Sequence, residues 1–181
     1  MSIHLVTEEM KAKAEVYHGN ETCTEKFTSL LEEKGLPKGL LLTLQDIHEY
    51  GHVKDTGFVW LRRRCLHGTT SKRDGLHMFD NVVVRYDAEI KAYFETNKIR
   101  NLTGVKVKEF MLWFDLTEIC VQHRSRSETS TITFKTPVGL TRSFPISLFE
   151  ARSAVLGDGN VNEFGGEANE GKQCKKVKKG S

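Results

Sequence analysis

No apolar run in this chain approaches the ~18 residues of a membrane-spanning helix, so no helical span is expected. The first residues, MSIHLVTEEMKAKAEV, lack a basic start followed by an apolar core, and no secretory signal is expected either. The four cysteines, Cys23, Cys65, Cys120 and Cys174, show no C-x-x-C spacing. Without an export signal they read as free thiols in a reducing compartment, three of them packed as small hydrophobes. A formal charge of only +3 is too weak by itself to imply nucleic acid, and none is expected as a partner. No G-x-S-x-G elbow exists, and neither Ser147 nor Ser153 has flanking glycines. Internal repeats are also missing. These absences leave a soluble, cytoplasmic, single-domain chain over residues 1–152, with residues 153–181 as a separate tail.

The most organised stretch is Leu102 to Val121, LTGVKVKEFMLWFDLTEICV. Val105 and Val107 share one parity, Phe110, Leu112, Phe114 and Leu116 the other, and Ile119 and Val121 return to the first. Alternation rich in aromatic and β-branched residues predicts a strand with one buried face, with bends near Glu109 and Thr117. Phe114 is expected deep in the core. Trp113, of opposite parity, is expected beneath an amphipathic helix.

That helix is predicted from Asn20 to Gly35, where Cys23, Phe27, Leu30 and Leu31 fall at i, i+4, i+7 and i+8. An earlier helix is predicted from Thr7, a good cap followed by Glu8 and Glu9, through His18 to a stop at Gly19. After the turn-rich corner Gly35-Leu36-Pro37-Lys38-Gly39 the texture changes to short strands. They are predicted at Gly57–Cys65, Val82–Tyr86, Ala88–Phe94, Thr131–Lys135 and Arg142–Ile146. The first of them ends in Arg62, Arg63 and Arg64 and is expected to run out into water. Ser71 to Asp74 reads as a loop. From Gly157 onward Gly, Asn, Glu and Lys dominate and too little apolar surface exists to offset ordering entropy, so the tail is read as disordered. The fold class is mainly β: a small antiparallel barrel or sandwich preceded by two N-terminal helices.

Four blocks carry a family resemblance: GLPKGLL at Gly35–Leu41, TGFVWL at Thr56–Leu61, the stretch from Leu102, and FKTPVGLTRSFPISLF at Phe134–Phe149. Together they resemble the plant family called domain of unknown function 538, in its subgroup named for smaller trichomes with variable branches. The resemblance runs from about Val6 to Phe149. It departs at Leu42, where the family has a second proline. It implies a compact, mainly β domain with a flanking helix. It also implies binding of a lipid or lipopolysaccharide, or hydrolysis of chlorophyll, in development or stress response.

His48-Glu49-Tyr50-Gly51-His52 is an H-E-x-x-H string, which on a helix would place two histidines on one face for zinc. Gly51 disfavours that helix by about 1 kcal/mol. No third-ligand segment follows, and the string reads as surface histidines in a short connector. No metal and no cofactor are expected. Cys65 with His67, or Cys120 with His123, lacks any activating charge and reads as structural.

Phe58, Trp60, Phe94, Phe110 and Phe114 supply the inner surface of a small barrel, which they either fill or line as a cavity for an acyl chain or porphyrin. Lys172, Lys175, Lys176, Lys178 and Lys179 cluster around Cys174 as a solvated run or as a tether to an anionic membrane, with Cys174 open to acylation. Arg62–Arg64 with Arg73 form a second basic patch. The functional expectation is a non-enzymatic module binding a lipid or pigment, peripheral on membranes. The alternative is a hydrolase of a chlorophyll-like ester.

Overall fold

The computed structural model describes residues 6–40, 44, 46–64, 76–79, 82–109, 111–123 and 130–150. The protein is mainly β and antiparallel throughout, as its alternating segments predict. Helix α1, Glu8–Lys13, begins where Thr7 Oγ1 accepts a 3.2 Å hydrogen bond from the Met10 N–H, with Glu8 and Glu9 in its first turn. It stops at Ala14 instead of continuing to His18. The chain extends into strand β1, Glu15–His18, because Val16 and Tyr17 suit extended backbone and strand β2, Ile47–Val53, offers them a full ladder. Tyr17 then stands against Tyr50, ring centroids 6.1 Å apart.

Helix α2, Asn20–Glu33, buries the predicted stripe of Cys23, Phe27, Leu30 and Leu31. Its C-terminus closes as a Schellman motif. Gly35, at φ 69°, donates to Glu32 O, Leu36 donates to Leu31 O, and both leucines are buried.

The remaining strands are β3 (Phe58–Arg63), β4 (Leu76–Phe79), β5 (Val82–Glu95), β6 (Lys98–Glu109), β7 (Leu112–Asp115), β8 (Glu118–Gln122), β9 (Thr131–Lys135) and β10 (Thr141–Pro145). A short helix α3, Ser147–Glu150, buries Phe149. The sheet runs β1-β2-β3-β5-β6-β8-β9-β10, with β4 added to β5 and β7 added to β6. Its end strands, β1 and β10, do not pair with each other among the described residues, so the sheet is not closed there.

The organising element is the long β5–β6 hairpin, not a single strand from Leu102 to Val121. That stretch divides into the second half of β6, a hairpin turn, β7 and β8. The parity change at Glu109 is the turn itself, since Glu109 pairs with Leu112. The change at Thr117 is a break between β7 and β8, both of which run back along β6: Leu116 N donates to Val105 O, and Leu102 N donates to Thr117 O. The two segments predicted at Val82–Tyr86 and Ala88–Phe94 are one strand, β5, with register shifts between Tyr86 and Tyr93. Gly104 makes the close approach there possible. It has φ 83°, and a Cβ on it would stand 2.1 Å from Glu89 O.

The sheet is covered differently on its two faces. On one, Val6, Met10 and Ala14 pack on Val53, Phe58 and Trp60. On the other, α2 lies over Tyr50, Leu61, Ile90 and Phe94 in the main core.

Candidate functional site

The structure distributes the core aromatics over both faces of the sheet. Phe58 and Trp60 are fully buried in the cluster capped by α1, and Phe58 meets Tyr93 at 5.1 Å. Phe94 lies in the opposite cluster with Phe27 edge-on at 5.8 Å. Phe114 is half-buried on β7, and Phe110 lies outside the described residues. Phe58, Trp60 and Phe94 therefore do not surround one common space. They are occupied with neighbours on separate faces, which parity alone cannot assign to a side of the sheet.

The H-E-x-x-H string lies in β2. Residues four apart in a strand stand about 13 Å apart, so His48 and His52 are not brought together as they would be on a helix. Nor is the string a surface connector. His52 is buried, and burial, reinforced by Lys34, holds its imidazole below the ordinary value. His48 Nδ1 and His52 Nε2 have no hydrogen-bond partner among the described residues. Glu49 is engaged structurally: its Oε1 accepts from Trp60 Nε1 and from Arg62, both at 2.8 Å. Arg62 continues to Glu89 at 3.1 Å, and Lys91 reaches the same carboxylate at 2.8 Å. Burial pushes the Glu89 carboxyl up, but the bonds from Lys91 and Arg62 outweigh it and the net shift is downward. Among the described residues, no three His, Cys, Asp or Glu side chains gather as a metal-binding group.

The three arginines at the end of β3 do not form a single free patch. Arg62 is tied into that network, Arg63 donates to Tyr86 O at 3.3 Å, and Arg64 is exposed. Arg62 and Arg63 are half-buried, so the chain becomes fully exposed only at Arg64, just past β3. Arg64 lines a cleft of about 370 Å³ with His18, Gly19, Asn20, Asp46 and His48. Cys23 is buried, its thiol pushed up by that burial, and Cys120 is half-buried; both are free. Cys65, Arg73, the Ser71–Asp74 loop and the whole tail, with Lys172, Cys174, Lys175, Lys176, Lys178 and Lys179, lie outside the described residues.

The arrangement that stands out chemically includes Leu112 and Trp113, two residues whose pattern predicts burial. At the β6–β7 turn Met111 is 83% exposed, Leu112 61% and Trp113 38%. Helix α2 packs on β1 and β2, so it does not cover Trp113 as expected. Met111 has φ 70°, a conformation that costs an L side chain energy and is usually given to Gly or Asn in a hairpin turn. The β9–β10 turn projects from the same end and exposes Val138 and Leu140. A two-pronged ion pair locks the turns together: Arg142, just after one, meets Glu109, just before the other, at 2.7 and 2.8 Å. Five of the large apolar side chains that meet solvent among the described residues thus share one end. Apolar exposure gathered at one end, instead of scattered singly, is the pattern expected of an interaction site.

The family model described as "Protein of unknown function, DUF538" matches residues 27–150, a span that includes both exposed turns. No curated protein and no solved structure gives a significant match.

Proposed function

The chain belongs to the DUF538 family, and on that premise we propose that it is a non-enzymatic module that binds a lipid-like, amphipathic ligand with the end built from the β6–β7 and β9–β10 turns. The observation that carries this reading is the joint exposure of Met111, Leu112 and Trp113 on a turn kept in place despite a positive φ. An apolar side chain gains about 1.5–3 kcal/mol on leaving water; Met111 and Leu112 leave most of that gain uncollected within the fold, and Trp113 part of it. The interior aromatics offer a ligand less, since Phe58, Trp60 and Phe94 are already packed. We extend the reading, on the sequence blocks at Gly35, Thr56, Leu102 and Phe134, to the plant subgroup named for smaller trichomes with variable branches. It includes a cytoplasmic, membrane-peripheral location and a role in development or stress response.

The test is partitioning of the protein onto phospholipid vesicles, read by sedimentation and by the tryptophan emission spectrum. Met111→Ser with Leu112→Ser is expected to weaken binding by about 2–4 kcal/mol, since two apolar side chains are lost, while melting stays unchanged. Vesicle binding equal to that of the unchanged protein would refute the site.

A further inference from the structure

One face of the exposed end carries three cations, Arg85, Lys106 and Lys108, against two carboxylates, Asp87 and Asp115, and this excess identifies the surface that the turn meets. Across β5, β6 and β7, Val83, Lys108 and Trp113 stand in register, and so do Arg85, Lys106 and Asp115. Residues directly opposed in antiparallel strands share a face, so Arg85, Lys106 and Lys108 lie on the face that carries Trp113. The Arg85 guanidinium sits 5.7 Å from the Trp113 ring centroid. Lys106 is held loosely, 3.7 Å from Asp87 and 3.9 Å from Asp115. Lys108, directly across from the tryptophan, makes no ion pair among the described residues.

Resting on the lipid-binding reading above, we propose that this end docks on bilayers containing anionic phospholipid. Met111 and Leu112 enter the acyl region, the Trp113 indole sits at headgroup depth, and Lys106 and Lys108 are drawn to the net negative charge of the anionic headgroups. Each part has a physical reason. Indole favours the membrane–water boundary, where its ring is half apolar and its N–H is wet. A lysine stem lies along apolar surface while its ammonium stays at the polar level. Lysine is depleted at protein–protein interfaces, so lysines beside an exposed aromatic fit a phosphate surface better than a protein pocket.

The experiment uses the full chain with vesicles of phosphatidylcholine alone and of phosphatidylcholine with phosphatidylserine. The unchanged protein is expected to bind both and to prefer the anionic ones. Lys108→Gln should lower that preference about fivefold and Lys106→Gln/Lys108→Gln about twentyfold, with phosphatidylcholine binding intact. Lys106→Met/Lys108→Met, which keeps the apolar stems, should reproduce the loss and exclude a packing effect. Met111→Ser/Leu112→Ser should instead weaken binding to both vesicles. An unchanged anionic preference in the lysine variants would overturn the proposal and move the preference to another part of the chain, Lys172–Lys179 first. No anionic preference in the unchanged protein would overturn it too. Failure to bind either vesicle would remove the lipid reading itself.

Discussion

Trp60 and Trp113 are the two tryptophans of the chain, and they meet opposite conditions at opposite parts of one sheet. Trp60 has no exposed surface, donates its indole N–H to Glu49 and lies flat over Gly51, with Phe58 beside it and α1 above. Trp113 is more than a third exposed, and its described partner is the guanidinium of Arg85. The first site has been cleared for its ring, by a glycine on the next strand and a helix as cover. The second leaves more than a third of the residue's surface in solvent among the described residues. An aromatic that the fold accommodates is held for stability, and one that the fold leaves out is available for binding. Stability and binding are therefore expected to separate cleanly between these two regions.

The strongest break of that comparison is truncation. Trp60→Ala is expected to cost about 3–5 kcal/mol, the range for a buried aromatic, in chemical denaturation. Trp113→Ala should cost under ~1 kcal/mol, as for an exposed residue, and show its effect in vesicle binding. Equal losses at both positions would end the distinction. Next in size is Gly51→Ala. The new Cβ would lie within 2.1–2.4 Å of Trp60 ring atoms, so the indole or the strand must move, at about 1–3 kcal/mol. The contact also predicts coupling: with Trp60→Leu already in place, Gly51→Ala should cost much less, and additive effects would show that the ring is not what the glycine accommodates.

What the sequence disclosed follows the range of its signals. The α2 stripe, the Thr7 cap and the β9–β10 hairpin are local patterns, and all three stand where they were expected. β1 was hidden inside a predicted helix because its stabilising partner, β2, begins nearly thirty residues later, and pairing overrode a helical prelude. β2 itself read as a connector, its Gly51 and two histidines giving no alternating pattern. The parity changes in Leu102–Val121 were located correctly but misread, because a bulge and a hairpin reverse parity alike. The turn lacks the Asn-Gly or Gly-Gly pair that would have separated the two cases. Rules that place apolar residues inside must misplace any that are exposed for use, and so Leu112 falls to the core and Trp113 to its helical cover in the sequence pattern, while Met111 gives no signal.

A smaller effect belongs to the buried side of the comparison. His52 faces Glu15 from β1, Glu33 and Lys34 from α2, and Lys54, and its folded pKa is lowered chiefly by burial. An unfolded chain therefore takes up this proton at higher pH than the folded one. The stability tied to neutral His52 is fully present above the unfolded value of about 6.5 and declines as pH falls from there through the lowered folded value. His52→Leu should flatten this part of the stability–pH curve. A curve with the same slope in the variant would assign the acid sensitivity to another group.

The smallest effect, and the sharpest for the exposed end, lies at Met111. Its φ of 70° costs a side-chain-bearing residue about 1 kcal/mol that glycine does not bear. Among the described residues no neighbour compensates, since the side chain stands mostly in solvent. Met111→Gly should therefore raise the melting temperature by about 2–4 °C, the shift that ~1 kcal/mol produces in a domain of this size. The same change removes an apolar group from the turn and should weaken vesicle binding. Higher stability with poorer binding in one variant would show that this turn keeps a strained methionine for contact and not for folding. A melting temperature that falls instead would mean that Met111 packs within the protein, and the far end would lose its claim as a binding surface.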